Sequence, residues 1–153
     1  MPYSIFRFCL FTLLVFVFSC KKSSTNQNVQ NNCTVSKAIS TPVNFTILSG
    51  SGQYFNMANP GQSIYVNNVG ISGIIIYHQS PNQFLAFERN CTKDGCNNAK
   101  SIVWVQAGNA SMKDSICGSV FSIYDGSVQT GPATIPLYQY HTNWDGNQLH
   151  VYN

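Results

Sequence analysis

Charge is what this chain has least of. Lys, Arg, Asp and Glu make up 8% of its residues, against about 25% in an average soluble protein. Its polar surface must therefore rest on Asn, Gln, Ser and Thr. The carboxylates are Glu88, Asp94, Asp114, Asp125 and Asp145, and the last two each precede a glycine. Asp-Gly is a hairpin-turn pair, so those two acids are read as turn residues. The remainder is a poor supply for a hydrolase, and no Ser/His/Asp order or phosphate-cradling Gly loop accompanies it. The net charge is +3, with the basic residues scattered. No basic stripe is interleaved with aromatics, which argues against a nucleic-acid partner. Helical patterning is absent too: no apolar stripe at i, i+3, i+4, i+7 is long enough for a confident helix.

A long apolar run is also missing. Phe8 to Phe18 is apolar but falls short of the roughly 20 residues that span a bilayer. With Arg7 before it and the small Ser19 after it, it reads as an export signal. Val17-Phe18-Ser19-Cys20 looks like a relaxed lipobox, in which Phe18 departs from the small residue of the strict form. The expectation is a signal peptide over 1–19 and a lipid on Cys20. Residues 20–42 are rich in Ser, Asn, Gln and Lys and read as a flexible tether. The domain proper is expected over 43–153. The expected location is the bacterial cell envelope, on the periplasmic face or the cell surface, with the outer membrane favoured. The lipid bilayer is the first expected partner, through Cys20.

Of six cysteines, Cys9 leaves with the signal and Cys20 carries lipid. Cys33, Cys91, Cys96 and Cys117 remain, an even number in an oxidising compartment, which favours disulfides. Cys91 and Cys96 bound one loop, Cys91-Thr92-Lys93-Asp94-Gly95-Cys96, and Cys117 sits in a second. Two such loops hung on strands can either cross-link a small exported domain or hold a metal.

From Thr41 onward the apolar period is two. Val43, Phe45 and Ile47 alternate with polar residues, as on a half-buried strand. Ile64 and Val66 repeat the pattern. Gly73-Ile74-Ile75-Ile76-Tyr77 is continuously apolar, which suits a strand buried on both faces. Phe84 to Phe87, Ile102 to Val105, Ser111 to Ile116, Phe121 to Tyr124, Ser127 to Gln129, Leu137 to His141 and Gln148 to Val151 complete an all-β chain. Short strands at this spacing fit an antiparallel β-sandwich or small barrel.

The ordered set of motifs resembles the Rieske [2Fe-2S] domain family. That family's loops read Cys-x-His-x-Gly-Cys and Cys-x-Cys-His-Gly-Ser-x-Phe. This chain has Cys91 to Cys96, then Cys117-Gly118-Ser119-Val120-Phe121, Asp125-Gly126-Ser127-Val128, Gly131-Pro132-Ala133 and Pro136-Leu137. The likeness covers roughly residues 43–153, implies that the two Cys loops lie together at one tip of the fold, and extends to lipoprotein members found in Bacteroidetes-type bacteria, which the chain resembles. A Rieske centre uses two thiolates and two imidazoles. Here Lys93 stands at the first His place. Alignment on Gly118-Ser119 puts Cys117 at the second His place and Asp114 at the Cys place. A one-residue deletion makes Cys117 the family's disulfide cysteine instead. Both histidines are missing either way, and His78, His141 and His150 fall in or beside strands away from the loops. The resemblance also implies a Cys96–Cys117 disulfide, which leaves Cys91 open to pairing with Cys33.

These departures lead to the expectation of no cofactor, with enzymatic activity disfavoured but left open because the resemblance is to electron-transfer and oxidoreductase components, and with the domain acting as an envelope binding or structural module toward an envelope protein or a glycan. An electron carrier is the alternative, with a [2Fe-2S] cluster on Cys33, Cys91, Cys96 and Cys117. A glycan-binding or adhesion module is the second alternative, with Trp104, Trp144, Tyr138 and Tyr140 as a stacking surface.

Overall fold

The computed structural model describes residues 37–93 and 100–153. Ten strands are found there: β1 (Asn44–Leu48), β2 (Ser63–Val66), β3 (Ile74–Ser80), β4 (Gln83–Glu88), β5 (Val103–Val105), β6 (Ser111–Asp114), β7 (Val120–Ser122), β8 (Val128–Thr130), β9 (Gln139–Trp144) and β10 (Gln148–Tyr152). They form a six-stranded sheet in the order β1-β10-β9-β4-β3-β2 and a four-stranded sheet in the order β5-β6-β7-β8. Every pairing between these strands is antiparallel. The all-β expectation holds.

The unbroken apolar run in β3 has a direct cause. Ile74 and Ile76 face one core, together with Phe84 and Ala86 of β4 and with Val43, Ile64, Leu149 and Val151 from the other strands of the larger sheet. Ile75 and Tyr77 face a second core with Leu85, Phe87, Val103, Met112 and Phe121. Alternate residues of β3 and β4 thus feed opposite faces of the sheet, and no position in Ile74–Tyr77 is left for a polar side chain. The second core is where the two sheets meet, and Cys91 is part of it.

Both Asp-Gly turns are as read. Asp125 Oδ1 accepts from the Ser127 N–H and hydroxyl, and Asp145 Oδ1 accepts from the N–H groups of Asn147 and Gln148. Those bonds hold both exposed carboxyls below the usual range. One element was not legible: the single-turn helix α1 (Gly52–Phe55), where Ser51 Oγ caps the Tyr54 N–H at 3.2 Å. A single turn carries no periodic stripe.

Residues 37–42, read as the end of the tether, are packed onto the domain. The Asn153 side-chain amide donates to the carbonyls of Ala38, Ile39 and Thr41, and its Oδ1 accepts from the Val43 N–H. The signal segment, Cys20 and Cys33 lie outside the described residues, as do Asp94, Gly95 and Cys96.

Candidate metal-binding tip

The first loop springs from the end of β4. Beyond Glu88 the chain stays paired: the Val103 N–H donates to the Arg89 carbonyl, Asn90 bridges Ile102, and the Cys91 N–H donates to the Ser101 carbonyl, at 2.9 Å for both hydrogen bonds. Cys91 and Ser101 therefore face each other where the loop opens and closes. The second loop joins β6 to β7. The Gly118 N–H donates to the Asp114 carbonyl and the Asp114 N–H to the Ser119 carbonyl, which brings Cys117 back over Asp114. Register does the rest, because Val103 of β5 pairs with Asp114 of β6.

This geometry brings Cys91, Asp114 and Cys117 together. Their ligand atoms all lie within 4.8 Å of one another. The two sulfurs are 3.6 Å apart, and Cys117 Sγ is 3.4 Å from Asp114 Oδ2. Cys91 and Asp114 are fully buried, while Cys117 is partly exposed. The Ser101 hydroxyl donates a hydrogen bond to Asp114 Oδ2, and the Ile116 N–H reaches Oδ1 at 2.7 Å. Ser119 Oγ lies 3.0 Å from Cys117 Sγ and accepts from the Ala133 N–H, while Thr92 donates to the Ile135 carbonyl. The Gly131–Leu137 segment is thereby tied to both loops.

Burial pushes the Cys91 thiol well above the usual range. The Lys93 backbone N–H pulls the other way, and Asp114 and Cys117 add to the rise. Burial also works to raise the Asp114 carboxyl, but hydrogen bonds from Ser101, the Ile116 backbone, Cys91 and Cys117 outweigh it and hold the group below the usual range.

Three of the four residues singled out in the sequence thus converge by side chain, namely Cys91, Asp114 and Cys117, and Lys93 contributes a backbone N–H. The Cys96–Cys117 and Cys33–Cys91 pairings involve residues outside the described ones. None of the three histidines is at the tip. His78 is a core residue rather than a strand-edge side chain: its ring is buried, stacks on Phe84, and shares a 2.8 Å hydrogen bond between Nδ1 and the Met57 carbonyl. His141 and His150 lie on β9 and β10 beside Tyr152.

The donor set does not fit a Rieske cluster. That centre needs two imidazoles, and the described tip supplies two sulfurs and a carboxylate.

A second feature on the same hairpin escaped sequence reasoning. A cleft of about 430 Å³ is lined by Asn67 to Gly73, Arg89, Ile102 and Trp104. The Arg89 guanidinium lies over the corner formed by the edge-on rings of Tyr65 and Trp104, 4.5 and 4.2 Å from their centroids. It is buried, it donates from Nη1 to Asn67, and its Nη2 has no partner among the described residues. Burial lowers its pKa, opposed by Tyr65 and Glu88. The four aromatics expected to share a stacking surface are differently disposed. Tyr140 is buried, Tyr138 meets it edge-on, Trp144 stacks on Tyr54, and Trp104 belongs to the other sheet.

No family profile matches the sequence, and no curated protein matches it. Solved structures do match. A chain in the complex of reduced oxygenase and oxidized ferredoxin in carbazole 1,9a-dioxygenase is 20% identical, with a TM-score of 0.51 over 72% of this chain and 93% of that one. The ferredoxin of carbazole 1,9a-dioxygenase from Nocardioides aromaticivorans is 15% identical, with a TM-score of 0.47 over 72% and 96%. A putative NADH-dependent nitrite reductase small subunit from Mycobacterium tuberculosis is 18% identical, with a TM-score of 0.44 over 73% and 96%. The first likeness shows the fold, which is the Rieske-like all-β fold.

Proposed function

We propose that this protein is a lipid-anchored envelope module built on a Rieske-like fold whose tip no longer carries a [2Fe-2S] cluster. The observation that carries this reading is the donor set. Cys91, Asp114 and Cys117 are drawn within 4.8 Å of one another with no imidazole among them. Their hydrogen bonds to Ser101, Ser119 and backbone N–H groups tie the two loops together. The lipobox-like ending at Cys20 and the polar tether support display from a membrane.

Binding is assigned to the Arg89 cleft. The half-exposed Trp104 ring offers a flat apolar face, and Arg89 Nη2 offers a donor with no partner among the described residues. That pair suits a ligand with a carboxylate beside an apolar or sugar face. Visible absorption and reduced-state EPR on anaerobically purified protein test the cluster-less reading: a colourless, EPR-silent sample is expected, and a cluster signal overturns it. Metabolic labelling with a radioactive fatty acid tests the anchor. Label on the wild type and none on Cys20→Ser is expected, and an unlabelled wild type removes the anchor from the account.

A further inference from the structure

The misfit to a two-iron cluster is a fit to something smaller. We propose that Cys91, Asp114 and Cys117 form a mononuclear site for a zinc-like divalent cation. A tetrahedral ion with metal–sulfur bonds of about 2.3 Å and metal–oxygen bonds of about 2.1 Å sets its ligands about 3.8 Å apart, sulfur to sulfur, and about 3.6 Å apart, sulfur to oxygen. The corresponding separations here are 3.6 Å between Cys91 Sγ and Cys117 Sγ and 3.4 Å between Cys117 Sγ and Asp114 Oδ2. Both match edges of a coordination tetrahedron to within about 0.2 Å, and all three ligand atoms lie within 4.8 Å of one another. Two sulfurs select a borderline-soft ion over magnesium or calcium.

The surroundings are those of an oriented ligand set. Ile116 holds Asp114 Oδ1 by its N–H, which leaves Oδ2 turned toward the sulfurs, and the Ser101 hydroxyl fixes that oxygen. The Lys93 N–H bonds to the Cys91 sulfur and the Ser119 N–H to the Cys117 sulfur. Such outer contacts fix ligand direction in metal sites. The exchange also balances. One divalent cation enters and two thiol protons leave to solvent. The set carries one negative charge before, on the carboxylate, and one after, from two thiolates, a carboxylate and the cation. Three protein ligands leave a fourth position for water.

The inference rests on the cluster-less reading and is tested apart from it. The full chain is stripped with chelator under anaerobic conditions and titrated with Co²⁺ as a zinc surrogate. The expected result is one cobalt per chain, with sulfur-to-cobalt charge-transfer bands and tetrahedral d–d bands that equimolar Zn²⁺ abolishes. Cys117→Ser should lose the affinity together with part of the charge-transfer intensity. Asp114→Asn and Ser101→Ala should each bind about 10- to 100-fold more weakly while circular dichroism shows them folded. Using three variants keeps the test intact if one fails to fold. Cobalt bound equally by wild type and all three, or not bound at all, overturns the inference and leaves the cluster-less reading standing. Peptide mapping that finds Cys117 joined to Cys96 in the exported protein also overturns it. Two irons with two sulfides overturn both readings.

Discussion

The Tyr140 hydroxyl donates a 2.8 Å hydrogen bond to Glu88 Oε2, and both side chains are buried. The same carboxylate accepts from the N–H groups of Ile71, Ser72 and Asn90. One buried acid therefore joins β4, β9 and the 70–73 loop, three residues before Cys91. Four donors offset the desolvation of the charge, and the strand end that carries the first loop is fixed as a result.

Glu88→Gln should be costly for that reason. The amide keeps one acceptor oxygen and aims an NH₂ at groups that are themselves donors. Leaving buried donors unmatched costs about 1–3 kcal/mol, and more at charged partners, so a loss of about 3 kcal/mol is expected from urea unfolding. A shift below about 0.5 kcal/mol, the scale of an ordinary surface substitution, would contradict the role.

Tyr140 ties the same pair to pH. Burial, and then the charge of Glu88, pushes its hydroxyl well above the usual tyrosine range. A folded pKa raised above the unfolded value of about 10 gives stability that is complete below pH 10 and is lost as pH rises above it, where the unfolded chain releases the proton first. Wild type should therefore lose more stability than Tyr140→Phe between about pH 9 and pH 11. Parallel stability–pH curves for the two proteins would refute the assignment.

Gly70 shields that contact. Its φ is +66°, and a Cβ there would meet Glu88 Oε2 and lie 2.8 Å from the Tyr140 hydroxyl. Gly146 has φ +93° with nothing near its added Cβ, so it isolates the backbone cost, about 1 kcal/mol. Gly70→Ala should exceed Gly146→Ala by at least about 1 kcal/mol in the same denaturant series. Equal losses would show that the carboxylate can move aside.

Arg89→Lys tests the cleft. A lysine keeps the charge but loses the planar group that lies over both Tyr65 and Trp104. A loss of about 1–2 kcal/mol, with Trp104 more accessible to an iodide quencher, is expected. Unchanged quenching would mean that the ring is held in place by something other than the guanidinium.

The fold was legible because its signals are local. The Ile74–Tyr77 run, the Val43–Ile47 alternation and both Asp-Gly turns each announce their structure within a few residues. The tip was half legible. Motif spacing pointed to Cys91, Lys93, Asp114 and Cys117, but it left two alignments for Cys117. The meeting of Cys91, Asp114 and Cys117 depends on the β5–β6 register, which sets Asp114 opposite Val103 and is a long-range property. Ser101 had no motif, and its role comes from facing Cys91 across the base of a loop. His78 and the Arg89 cleft depend on which face of a strand meets which neighbour, and single residues do not reveal that.

The central claim, that the Rieske-like tip holds no two-iron cluster, is tested most directly by measuring iron and acid-labile sulfide against protein in one anaerobically prepared sample of the exported chain. Iron and sulfide both far below one per chain are predicted. Two irons and two sulfides per chain would contradict the account.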